Sequence, residues 1–131
     1  MMDRPRVDTT RLQRIARAYT ESATLFAALD LELFSHVARG AGTVEALAAA
    51  MDVLPLNAER LVTACLGMGL LETSGGALRN APDAERFLVK GNKSYAGPWM
   101  TFTRPDVAEW FALTDHLRRK APPTTLGKYA E

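Results

Sequence analysis

The chain has 131 residues, 47% of them hydrophobic, and a formal net charge of +1 at pH 7. This length fits one domain, and the apolar content excludes a disordered chain. With 16 basic and 15 acidic residues, the sequence shows no electrostatic footprint for nucleic acid or for an anionic membrane.

Cysteine usage and the N-terminal residues bear on location. A single cysteine, Cys65, excludes an internal disulfide framework and favours a reducing compartment. No apolar run reaches the roughly 18–20 residues that a membrane-spanning helix needs. The N-terminal residues lack the apolar core of a secretory signal, and Asp3 and Asp8 argue against a transit peptide. We therefore expect a cytoplasmic protein without a membrane span.

The first predicted helix begins after Asp8, a residue type that caps helix N-termini. A seam with heptad-like spacing runs along this helix and is apolar except at one serine: Leu12, Ile15, Tyr19, Ser22, Phe26 and Leu29. Such a seam fits a helix that lies on its own core or a helix that packs against a second copy. The spacing alone leaves both interpretations open.

Two further helices are predicted from the next residues. An apolar helix over residues 31–37 ends at Gly40, and Thr43 then caps a third helix over residues 44–51. A turn follows, because Pro55 disfavours helical geometry at the residue before it.

A fourth helix is predicted to be capped by Asn57, to end at about Met68, and to stop at Gly69. Two short strands, at residues 70–73 and 77–79, flank a glycine-containing turn and predict a hairpin. Helix, turn, helix and hairpin is the order of a winged helix. The predicted fold class is therefore mainly α, with a winged helix-turn-helix core, a short β-hairpin and long flanking dimerisation helices.

The remaining segments predict a short helix from residues 80–83 through Val89, a loop at 91–98, and a last helix capped by Asp106 and reaching Leu117. An aromatic group lies in this part of the chain: Trp99, Met100, Phe102, Trp110 and Phe111. Aromatic and methionine side chains offer contact area to flat ligands, but they serve equally well in a core or between subunits.

Other candidate chemistries have less support. The glycines before Thr43 follow a predicted helix, whereas a nucleotide-binding glycine loop follows a strand. A metal site needs several converging ligands, but His36 and His116 fall on different predicted helices and Cys65 is the only thiol. Cys65 also falls on an apolar helix face, where a free cysteine is usually a small core residue, so a catalytic pair is unlikely. A winged helix could also bind DNA, but few residues here could contact bases or phosphates: Asn57, Arg60 and Arg79. We predict no metal, no cofactor and no catalytic residue in this chain, and we consider nucleic-acid binding unlikely.

Several stretches, taken in order, resemble the N-terminal dimerisation domain of S-adenosylmethionine-dependent O-methyltransferases, of the type that modifies small aromatic and polyketide products. These stretches are residues 26–34, 42–48, 60–72, 87–89 and 95–97, with Trp110 downstream. The resemblance implies a homodimer in which this domain also closes over the acceptor substrate.

The resemblance also implies roles for individual residues. The implied acceptor-site wall is Trp99, Met100 and Phe102. The implied dimer interface is Leu12, Ile15, Tyr19, Phe26, Leu29 and Trp110. In such enzymes a separate Rossmann-like domain binds S-adenosylmethionine and supplies the catalytic base, and no segment here matches it.

These implications define the expected organisation. Residues 1–9 form an N-terminal arm, 10–120 form the dimerisation and substrate-lid domain, and 121–131 form a linker toward a catalytic domain. Two alternatives stay open: a free-standing winged-helix protein that binds a small molecule or a partner protein, and a winged-helix transcriptional regulator.

Overall fold

The computed structural model describes residues 6–119. They fall into two compact units that meet in sequence between Tyr95 and Ala96. We call residues 6–95 the N-terminal unit and residues 96–119 the C-terminal unit. The linker predicted at residues 121–131 lies outside the described residues.

Helices α1 (Thr10–Arg17) and α2 (Tyr19–Asp30) occupy the region predicted as one helix. The cap residue of α1 is Thr9 and not the predicted Asp8. The Asp8 carboxylate accepts a hydrogen bond from the backbone N–H of Thr10, the first residue of the helix, at 3.0 Å. At Ala18 the backbone keeps right-handed dihedrals, but its N–H bonds to the carbonyl of Ile15, three residues back. The single predicted helix is therefore two helices, joined by a locally tightened turn.

Helices α3 (Leu33–Ala38) and α4 (Val44–Met51) follow. The Thr43 hydroxyl accepts a hydrogen bond from the backbone N–H of Ala46 at 3.1 Å, so the predicted cap of α4 is confirmed.

Helix α5 (Pro55–Gly67) begins three residues earlier than predicted. The assignment of Asn57 as its cap was wrong, because the extended residue before the helix is Leu54 and Pro55 occupies the first turn. Proline suits that position, since its fixed φ matches the helix and its missing N–H would have no partner there. At the other end Gly69 has φ +72°, and the N–H of the next residue bonds to the Cys65 carbonyl at 2.9 Å, as in a Schellman motif.

Strands β1 (Leu71–Ser74) and β2 (Ala77–Asn80) form an antiparallel hairpin. Both central residues of its turn, Gly75 and Gly76, have positive φ, which the twist of a two-residue hairpin favours. Helix α6 (Pro82–Phe87) follows. The predicted mainly α fold with a short hairpin is confirmed, and α4, α5 and the hairpin stand in the order of a winged helix.

The core of the N-terminal unit collects buried side chains from α2 to the segment after α6. Its largest fully buried members are Phe34, Leu33, Leu47 and Leu71. Asn80 was predicted to open a helix, but it ends β2 and is 7% exposed. Its amide reaches the Phe34 carbonyl 46 residues away in sequence, so it ties the hairpin to α3.

The C-terminal unit contains α7 (Gly97–Thr101), a 3₁₀ turn (Arg104–Asp106), α8 (Val107–Phe111) and α9 (Leu113–Arg118). The sequence predicted one last helix capped by Asp106. The structure divides that helix at Ala112, and the Asp106 side chain makes no capping hydrogen bond with α8. Across residues 6–119, every helix is too short or too polar to span a bilayer.

Candidate functional site

The N-terminal end of the seam lies on the outside of its unit. Every residue from 6 to 23 is exposed, including all of α1. The apolar side chains of Leu12, Ile15 and Tyr19 are 59%, 55% and 53% exposed. Because a helix normally turns its apolar stripe toward a core, this stripe indicates a contact that its own unit does not supply.

The seam changes character along α2. Phe26 is half-buried, and Leu29 is 9% exposed within the core of the N-terminal unit. The interpretation of a helix that lies on its own core is confirmed at Leu29, which packs on the chain itself. For the exposed end at α1, packing against a second copy stays a prediction.

The other face of α1 is basic. The helix carries Arg11, Arg14 and Arg17 and no acidic residue. At 100° per residue, Arg14 and Arg17 lie across the helix from the apolar stripe. Both also lie in the last turn, where positive charge is favourable next to the helix dipole. The helix is therefore amphipathic, with an apolar stripe available for contact and a solvated basic face.

The predicted acceptor-site wall lies on and just after α7. The rings of Trp99 and Phe102 stack with centroids 6.3 Å apart and planes 18° from parallel. Trp99 is 76% exposed, Phe102 59% and Met100 37%. Two near-parallel rings with exposed faces offer a flat apolar surface of the kind that aromatic ligands contact. Trp110, assigned to the dimer interface, is 51% exposed on α8.

The glycine segment before α4 does not fit a cofactor cradle. It follows helix α3, and the Gly42 carbonyl accepts a hydrogen bond from the Leu78 N–H at 2.9 Å. A Cβ at Gly42 would lie 3.3 Å from the Cβ of Ala77, so this glycine permits close approach of the hairpin. The Thr43 hydroxyl is already engaged with α4.

Within the described part of the chain, Cys65 and the metal-binding residue types show no arrangement typical of a catalytic or metal site. Burial raises the pKa of the Cys65 thiol to about 11, which disfavours the nucleophilic thiolate. Within residues 6–119, no three metal-binding side chains converge. On the hairpin, Arg79 forms an ion pair with Glu72 at 3.0 Å. Its guanidinium is the cationic group that the hairpin would use to bind a phosphate, and it is already paired with a carboxylate.

Two polar contacts that the sequence did not predict hold α3 in place. The Asn80 amide donates to the Phe34 carbonyl at 2.8 Å and to the Glu85 carboxylate at 2.6 Å. Lys90 forms an ion pair with Glu32 at 2.7 Å. Its hydrogen bond and charge hold the pKa of the Glu32 carboxyl below its ordinary value. The Asn80–Phe34 and Lys90–Glu32 contacts join residues far apart in sequence, and no local sequence pattern marks them.

Comparison with known proteins decides the family. Residues 13–90 match the family model described as the O-methyltransferase dimerisation domain. The chain belongs to the O-methyltransferase dimerisation domain family. The match includes Ile15, Tyr19, Phe26 and Leu29 of the seam and ends before Trp99.

The alignments with curated relatives cover more of this chain than the family model does. The chain is 32% identical over 114 residues to 3-hydroxy-5-methyl-1-naphthoate 3-O-methyltransferase of Streptomyces sahachiroi, covering 86% of this chain and 33% of that protein. It is 30% identical over 115 residues to the N,N-dimethyltransferase OxyT of Streptomyces rimosus, covering 87% and 33%. The chain therefore spans about a third of the length of these relatives.

A solved structure agrees with the O-methyltransferase dimerisation fold. The match to human N-acetylserotonin methyltransferase in complex with SAM has a TM-score of 0.75 at 27% identity, covering 89% of this chain and 36% of that one. This alignment is longer than the family-model match.

Proposed function

We propose that this chain is the dimerisation and acceptor-lid region of an S-adenosylmethionine-dependent O-methyltransferase for small aromatic or polyketide-like hydroxyl compounds. The observation that carries the proposal is the dimerisation-domain match over residues 13–90, which includes Ile15 and Tyr19 of the exposed stripe. The names of the naphthoate and acetylserotonin enzymes support an oxygen acceptor on an aromatic compound. OxyT is named an N,N-dimethyltransferase, so the domain alone does not select the acceptor atom.

The first part of the proposal is a homodimer. The exposed apolar side chains of Leu12, Ile15 and Tyr19 support it, because contiguous apolar patches on a protein surface commonly mark interfaces. Sedimentation equilibrium over a dilution series tests it. We expect a species of twice the 14.3 kDa chain mass that dissociates on dilution. A monomer at every accessible concentration would refute it.

The second part is the acceptor lid, formed by Trp99, Met100 and Phe102 of the winged-helix domain. Its support is the exposed ring stack on α7. Trp110→Phe leaves Trp99 as the only tryptophan, and Trp99→Phe leaves only Trp110. A hydroxynaphthoate should quench the fluorescence of the first variant and not that of the second. Equal quenching of both would contradict an acceptor site centred on Trp99.

The third part is that catalysis lies outside this chain, in a separate domain or subunit that binds S-adenosylmethionine. The glycine segment that packs against the hairpin supports this, because it leaves no cradle for the cofactor. Titration calorimetry should detect no S-adenosylmethionine binding, and a measurable heat of binding would overturn this part. We also propose a cytoplasmic location, which the free thiol of Cys65 supports. A role in secondary metabolism is proposed as well, and the name of the naphthoate-modifying relative supports it.

A further inference from the structure

Helix α1 buries none of its residues in its own unit. All of its residues are exposed, and the apolar core first takes up side chains at Leu25 and Ala28 of α2. In proteins, most helical stability comes from packing an apolar face. The apolar face of α1 instead holds Leu12 and Ile15, which are more than half exposed.

The local contributions to α1 are small. The helix has eight residues, fewer than the roughly 12–15 at which isolated helices become even marginally stable in water. The regular hydrogen bonding of α2 does not continue into it, because the pattern tightens at Ala18. The bond from the Thr10 N–H to Asp8 and the arginines of the last turn favour the helix, but only through surface interactions.

We propose that α1 becomes helical only when it packs against a second copy of this chain, so that dimerisation and folding of residues 6–18 are one event. This inference rests on the proposed homodimer. The second copy is the favoured occupant because the dimerisation-domain match begins at Gln13, inside α1, and includes Ile15. Each copy also contributes the same stripe, as a twofold interface requires.

The test changes the helix propensity of α1 without changing the apolar stripe that would contact the second copy. Gln13 lies on the polar side of α1, away from the stripe. Gln13→Ala and Gln13→Gly remove the same side chain but differ by about 0.8–1 kcal/mol in helix propensity. If α1 folds on pairing, two copies double this difference, and the Gly variant should have a dimer Kd about 15–30-fold higher than the Ala variant.

A matched control lies in a helix that is already packed in the N-terminal unit. Ala49 is an exposed residue of α4, so Ala49→Gly should destabilise monomer and dimer equally. The dimer Kd of that variant should stay within about twofold of the original value.

Sedimentation equilibrium on the full chain distinguishes the outcomes. A Gly-to-Ala ratio near one at position 13, with dimers present, would mean that α1 is already helical in the monomer and would overturn this inference alone. Monomers at all concentrations would overturn the homodimer as well. Hydrogen exchange supplies a second readout, because the amides of residues 13–17 should exchange freely in dilute monomer and become protected in the dimer.

Discussion

Ile15→Asp is the substitution that most directly tests the interface on α1. The Ile15 side chain is 55% exposed. If dimerisation buries that exposed half of the side chain, the burial stabilises the dimer by about 1 kcal/mol per chain, and the substitution loses this contribution. A carboxylate at the same place would add a desolvation cost of about 1–3 kcal/mol per chain.

Twofold symmetry applies both effects twice, so the predicted loss is about 4–8 kcal/mol per dimer. Taking the lower value, the dimer Kd should rise by about three orders of magnitude. Gln13→Asp is the matched control, because it introduces the same side chain into the same helix on the opposite face. Sedimentation equilibrium measures both variants. Similar dimer constants for the two would refute the placement of this stripe at the interface.

The remaining predictions concern the N-terminal unit and are measured by denaturant unfolding. Asn80→Ala should lower the free energy of unfolding by about 1–3 kcal/mol. Asn80→Asp should lower it more, because it places a second carboxylate next to that of Glu85, which the Asn80 amide contacts. A smaller loss for Asp would contradict that arrangement. The Glu32–Lys90 pair lowers the pKa of Glu32. Its contribution to stability is therefore present above the ordinary glutamate pKa of 4.5 and is lost as pH falls through the lower pKa of the folded state. The stability difference between the original chain and Lys90→Met should therefore disappear in acid, and a difference that persists would argue against this pair. Gly69→Ala should destabilise by about 1–2 kcal/mol because Gly69 has φ +72°, whereas Gly67→Ala, in α5 with open space around its Cβ, should stabilise by about 0.5–1 kcal/mol. Equal effects of the two glycine substitutions would contradict the left-handed end of α5.

The features that the sequence predicted well depend on neighbouring residues. Thr43 caps α4 through a bond to an N–H three residues away. Gly69 ends α5, and adjacent glycines turn the hairpin. In each case the backbone conformation is determined within one turn of chain, so residue type is enough to predict it.

Other features depend on parts of the chain that are distant in sequence. Asn80 has the residue type of a helix cap, yet its partner is the Phe34 carbonyl. The seam has one spacing throughout, but Leu29 is buried while Leu12 is exposed. Periodicity identifies a face and does not say what covers it. Asn57 has the residue type of a helix cap, yet α5 starts at Pro55, because the fixed φ of proline suits the first helical turn.

The boundary after Tyr95 has a spectroscopic consequence. Both tryptophans of the chain, Trp99 and Trp110, follow that boundary, whereas α1 to α6 and the hairpin precede it. Intrinsic tryptophan emission therefore originates only in the C-terminal unit, while far-ultraviolet circular dichroism is dominated by the helices of the N-terminal unit. One unfolding experiment followed by both signals reports on the two units separately, and coincident transitions would show that they unfold as one cooperative block.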